Sequence, residues 1–198
     1  MSLIGDEHII ATRVAAENTK RHSITNTVKI DDVTYKFEER EFSPYFSMVL
    51  PESFEELTTE HAKAKYPYED RPEIILSNED TTVNFAFDLM GVQPEGLDIR
   101  LSKYKGIIKK SHSNYAFFSE SIEEIESGLE VASYDYSGSA LDEDVYYFSF
   151  FADITDSELF GWFTCPVESQ SKWEPLVRQM IKTIKPLEEK EQEEEKDA

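Results

Sequence analysis

Six carboxylates crowd two short stretches of the sequence, Asp142-Glu143-Asp144 and the set Asp153, Asp156 and Glu158. Oxygens so spaced suit a hard divalent cation. Ca²⁺ asks for about six to eight of them held by a shaped loop, however, and the EF-hand pattern is absent. No cofactor or metal is therefore expected. His8, His22, His61 and His112 are scattered without zinc spacing. His112 stands between Ser111 and Ser113, which invites a hydrolase reading, but no G-x-S-x-G elbow accompanies it and it reads as a solvated loop residue. Cys165 closes an apolar stretch before Pro166 with no cation beside it, so it reads as a buried thiol, not a nucleophile. The 7 glycines are spread singly, and no phosphate-cradling loop exists. The reading leans against an enzyme and assigns no catalytic residue.

Charge layout carries more information. From Ser111 through Ser171 there is no Lys or Arg, and the same stretch holds thirteen acids. Bases gather on both sides of it, as Arg100, Lys103, Lys105, Lys109 and Lys110, then Lys172, Arg178, Lys182 and Lys185. Such segregation suits an acidic rim that steers a basic protein partner. The plain alternative is acidic solubility, with helix bases complementing acids nearby. The candidate contact residues are Glu120, Glu123, Glu124, Glu126, Asp142, Glu143 and Asp144, joined by Tyr134 and Tyr136 as an exposed aromatic pair.

These residues must be positioned by the elements around them. Asp144–Thr155 and Glu158–Pro166 are apolar on both faces, as in strands covered on both sides. The short Thr155-Asp156-Ser157 link joins them as an antiparallel hairpin. Gln170–Pro186 reads as a helix, with Trp173, Leu176, Val177, Met180, Ile181 and Ile184 on one face. Ser171 and Glu174 have capping-box spacing, and Pro175 would fall in the first turn. Upstream, Val28–Glu41 alternates, Asp31-Asp32 marks a turn, and Phe46–Leu50 is a strand stopped by Pro51. Thr59–Lys65 is a short helix capped by Thr58 or Thr59 and ended by Pro67. Glu73–Ser77 and Thr81–Met90 form a hairpin, and Leu97–Lys110 a helix that turns Leu97, Leu101, Tyr104, Ile107 and Ile108 to one side. Tyr115–Ser119 and Leu129–Tyr136 complete the sheet.

The chain of 198 residues suits one domain, residues 28–187, between an N-terminal arm (1–27) and an acidic tail (188–198). A net charge of −21 argues against nucleic acid and anionic membranes as partners. No apolar run reaches the ~18–20 residues of a membrane span. The lone Cys165 fits the cytoplasm, with a leader removed ahead of residue 1 left open.

The order of elements, together with Phe46-Ser47-Met48-Val49-Leu50-Pro51, Lys65-Tyr66-Pro67, Arg71-Pro72 and Cys165-Pro166 followed by Trp173, resembles the PsbP-like α/β/α sandwich superfamily over roughly residues 28–187. Its members include a photosystem II extrinsic subunit, a Ran-binding transport factor and bacterial proteins of unknown function, the last closest in appearance. The resemblance implies an α+β fold, an antiparallel sheet between helical layers, used for protein binding without a shared catalytic motif. The function expected is a non-catalytic protein-binding module with an acidic surface; the alternative is a small-ligand carrier or enzyme with a pocket between sheet and helices.

Overall fold

The computed structural model describes residues 23–66, 71–139 and 143–187. Most of the proposed arm, Pro67, Asp142 and the acidic tail lie outside them.

Seven antiparallel strands form the central sheet: β5 (Glu55–Glu56), β6 (Ile74–Ser77), β7 (Asn84–Gly91), β8 (Ala116–Glu124), β9 (Glu130–Ser139), β10 (Asp144–Ile154) and β11 (Ser157–Pro166). Their spatial order is β5-β6-β7-β11-β10-β9-β8. The two long central strands are apolar on both faces because both are covered. Tyr146, Phe148 and Phe150 turn to one core, while Phe151 turns to the other beside Tyr134 and Tyr136. The link between them tightens to Thr155 and Asp156, with Thr155 at a positive φ of 47°. Gly161 lies opposite Phe150 in register, and a Cβ there would stand 2.3 Å from the Phe150 ring.

One face of the sheet is covered by α2 (Leu97–Ser111) and the other by α3 (Gln170–Ile181), with α1 (Thr59–Lys65) over Ile75 and Ala86. Thr58 caps α1, its hydroxyl accepting from the His61 N–H at 3.3 Å. Leu97, Leu101, Tyr104 and Ile108 pack inward from α2, but Ile107 falls at the rim of that face and is exposed. Trp173, Leu176, Val177, Met180 and Ile181 of α3 are buried as the 3.6-residue period requires.

Three expectations are corrected. The strands before Pro51 do not join the central sheet. β1 (Val28–Ile30) and β2 (Val33–Tyr35) pair across the Asp31-Asp32 turn, and β3 (Phe37–Phe42) pairs β4 (Phe46–Pro51). Both small sheets lie beside α3, where Phe46, Met48 and Leu50 meet Phe87 and Trp173 in one core. The last helix stops at Ile181: Thr183 donates its hydroxyl to Met180 O and accepts from the Val49 N–H, and Lys185-Pro186 pair with β4 as β12. Pro186 disfavours helical geometry at Lys185, which is therefore free to extend. The capping box does not form either. A 3₁₀ turn, Val167–Ser169, leads into the helix, so Ser169 is the cap, without a side-chain bond, and Pro175 sits inside the helix.

Candidate functional site

The first part of the acidic stretch, Glu120 to Asp135, is carried by the hairpin of β8 and β9. The expected strand Tyr115–Ser119 is longer than its local sequence suggests and runs to Glu124. Glutamate is a poor strand former; it is the β9 ladder, from Glu120↔Tyr134 to Glu124↔Glu130, that imposes the extension. A bulge between Phe117 and Glu120 breaks the register, and Ser119 lies on the side of Asp135. There the buried Asp135 accepts from Ser119 N–H at 2.7 Å, Ser119 Oγ at 2.6 Å and the Tyr146 hydroxyl at 2.8 Å. Burial, reinforced by Asp135, pushes the Tyr146 phenol far above its ordinary value. Arg178 of α3 closes the cluster, donating to Ser119 Oγ and to Glu174 at 2.7 Å each and lying 4.8 Å from the centroid of the Phe148 ring.

Because side chains alternate along a strand, the acids of β8 divide between its two faces. Glu120 shares the α2 face with Tyr134 and pairs with Lys105. Glu123 shares the α3 face with Val131 and lies 3.2 Å from Lys182, whose hydrogen bond holds the carboxyl below its ordinary range. Glu124, Glu126 and Glu130 sit exposed at the hairpin tip. No Lys or Arg among the described residues pairs with any of these three, and Glu124 and Glu130 stand directly opposite each other. The tip is well held beneath them. Ile125 is buried, Gly128 takes the left-handed conformation at φ 82°, and Ser127 Oγ donates to Ile184 O at 2.7 Å.

The other predicted acids are elsewhere. Glu143 and Asp144 lie at the opposite end of β9, whose 10 residues put them ~30 Å from the tip at ~3.3 Å per residue. Asp144 accepts from Ser139 Oγ at 2.7 Å. Tyr134 and Tyr136 are not an exposed pair: they are 1% and 8% exposed, sealed beneath α2 against Phe117 and Tyr147. Burial pushes Tyr134 up to about 12. Their strand alternates as expected, but α2 covers the side they occupy, leaving Asp135 on the other.

Two of the carboxylates weighed as metal ligands have a different use. Asp153 and Glu158 face each other across β10 and β11, and Arg100 of α2 reaches both. Its guanidinium donates two bonds of 2.7 Å to Asp153 and one to Glu158, which also accepts from the Tyr104 hydroxyl at 2.6 Å. Among the described residues no group of three or more His, Cys, Asp or Glu is placed to hold a metal. His112 is exposed and stacks on Tyr115, and the buried Cys165 has its thiol pushed up by burial. Arg100 and Tyr104 were missed as partners of Asp153 and Glu158, and Arg178 as a partner of Asp135 and Glu174, although Arg100 shares the inward face of α2 with Leu97, Leu101 and Tyr104, a spacing that marks an inward base.

Between β8, β9 and α3 runs a groove floored by Val131, Phe148 and Ile181, with Arg178 and Lys182 on its wall. It holds about 50 Å³, against the ~300–1,000 Å³ of small-molecule sites. It is of a size to admit part of a side chain.

Sequence comparison matches the chain to no protein-family model and to no curated protein. Its fold is nonetheless shared with solved structures. The Ran-binding protein Mog1p of Saccharomyces cerevisiae aligns over 76% of this chain and 95% of its own, at 13% identity and a TM-score of 0.53. Cyanobacterial PsbP (CyanoP) from Synechocystis sp. PCC 6803 aligns over 76% of this chain and 92% of its own, at 5% identity and a TM-score of 0.55. The chain therefore has a PsbP/Mog1-like α+β fold. At such identities the likeness is one of fold alone. No helix among the described residues is long and apolar enough to cross a membrane.

Proposed function

We propose that the domain is a non-catalytic protein-binding module that engages a basic protein surface through the acidic tip of the β8–β9 hairpin. The observation that carries this reading is the arrangement of Glu124, Glu126 and Glu130. Like charges directly opposite on a ladder work against the fold by roughly 0.2–1 kcal/mol. The acids beside them, Glu120 and Glu123, are matched by Lys105 and Lys182; the tip acids have no such match among the described residues. Lys or Arg from a partner would relieve that repulsion, and the excess negative potential would accelerate encounter. Glu120 and Glu123 serve as the flank of the surface. Glu143 and Asp144, ~30 Å away at the other end of β9 at ~3.3 Å per residue, lie outside the tip itself. That a protein of the same fold is described as Ran-binding is in keeping with protein recognition. The same charge that favours a basic protein disfavours nucleic acid, and the single buried Cys165 suits a cytoplasmic setting.

The test is affinity capture from source-cell lysate at low and moderate salt, using the native chain and the Glu124→Gln/Glu126→Gln/Glu130→Gln variant. A partner held by the native chain, weakened by salt and lost with the variant supports the reading. Partners indifferent to both changes remove it.

A further inference from the structure

We propose that the free edge of β8 binds an extended basic segment by strand addition, with the pattern basic–x–apolar–x–basic set opposite Glu120–Glu124. The inference rests on the acidic-surface reading and adds a mode of binding to it.

The two edges of the central sheet differ. β5 has 2 residues, whereas β8 has 9, and among the described residues no strand pairs with its outer side. Every residue of β8 is exposed or half-buried. A long open edge presents a row of backbone donors and acceptors to another chain. Two large apolar side chains accompany it: Phe118 is 53% exposed and Ile122 39%. The bulge between Phe117 and Glu120 separates the Ala116–Phe117 pairs from Glu120–Glu124, the longer regular run.

Charge selects what can use this edge. A second copy would bring its own Glu120, Glu123 and Glu124 against the same residues, in a chain of net charge −21. A basic strand meets no such repulsion. Glu120, Ile122 and Glu124 share the α2 face with Tyr134, Ala132 and Glu130, whereas Ser121 and Glu123 share the α3 face with Ser133 and Val131. An added strand therefore sets an apolar residue opposite Ile122 and a base opposite Glu124, where it also reaches Glu130, while a base opposite Glu120 shares that carboxylate with Lys105. Its intervening side chains lie towards Ser121 and Glu123, beside the groove of about 50 Å³. There Lys182 already matches Glu123 and Arg178 lines the same wall, so a small neutral side chain fits best. Main-chain bonds give affinity and the alternate side chains give selectivity, as in other edge-strand recognition.

The probe is a fluorescent peptide with lysine–threonine–valine–threonine–lysine between Gly-Ser flanks, followed by anisotropy at low salt. Two isomers carry two backbone N-methyl groups each, one at both threonines and the other at both lysines. An added strand directs alternate N–H groups to β8, so one isomer should bind at least tenfold more weakly while the other keeps its affinity. Hydrogen exchange should slow at amides within Glu120–Glu124, and Ile122→Lys should weaken binding about tenfold without lowering the melting temperature. Equal binding of the parent and both isomers, lost in Glu124→Gln/Glu130→Gln, would overturn strand addition and leave the acidic-surface reading standing. Binding that ignores those carboxylates and salt would overturn both. Absence of binding at low salt overturns strand addition, and the acidic reading is then judged by the lysate capture alone.

Discussion

Two arginines, one on each helix that covers the central sheet, do opposite things. Arg100 of α2 is 1% exposed and its partner Glu158 is fully buried, with Asp153 as a second acceptor. Arg178 of α3 is 31% exposed and bridges Glu174, Ser119 and the face of Phe148 at the rim of the groove. In the dry interior Glu158 without Arg100 would keep a buried charge unanswered, and Arg100 without Glu158 would rely on the half-exposed Asp153 alone. At the wet rim water substitutes for any lost partner. The comparison separates polar groups that hold the fold from polar groups available for exchange with something outside.

Glu158→Ala should break the first region. It leaves Arg100 with one carboxylate and Tyr104 without its acceptor, and a loss of about 3 kcal/mol in chemical denaturation is expected. Arg100→Met combined with Glu158→Leu should recover most of that loss; failure to recover would make the pair a net stabiliser beyond its shape. Arg178→Ala should cost only about 1 kcal/mol, much of it from lost packing on Phe148. A loss as large as that of Glu158→Ala would erase the distinction between interior and rim.

The hairpin tip sharpens the contrast further. Glu130→Lys replaces a repulsive cross-strand pair with an attractive one, and a gain of roughly 0.5 kcal/mol is expected. The same substitution should weaken capture of a basic partner. A residue whose replacement improves stability while reducing binding is retained for the binding. The smallest effect belongs to Glu123. Its folded-state carboxyl is held below the ordinary range by Lys182. Its contribution is thus present above the ordinary carboxylate range and disappears as pH falls through the lowered folded value. In a pH series of denaturation curves Glu123→Gln should flatten that acid-side decline slightly, and Lys182→Ala should shrink the difference between Glu123 and Gln, Ser121 and Arg178 still favouring the charged carboxylate.

Much of the fold is legible in residue order because it depends on local periods. The apolar faces of β10 and β11, the alternation of Val83, Phe85 and Phe87, and the Trp173–Ile181 stripe follow from side-chain geometry that any strand or helix imposes. The candidate site is less legible. Tyr134 and Tyr136 alternate with Asp135 in the sequence, and that pattern says they share a face without saying whether the face is covered. The position of α2 buries the tyrosines, and Ser119, Tyr146 and Arg178 satisfy Asp135, its neighbours there coming from β8, β10 and α3.

The sequence by itself determined which side chains travel together, where the chain turns and that its acids are segregated from its bases. Tertiary structure alone decided that β8 extends to Glu124, that Arg100 and Lys182 answer particular acids, and that Glu124, Glu126 and Glu130 are left together at one tip. The physical reason is one of range. Periodicity and capping act over a few neighbouring residues, whereas pairing a charge depends on a partner that may be 58 positions away, as Glu158 is from Arg100. Only packing brings such partners within reach.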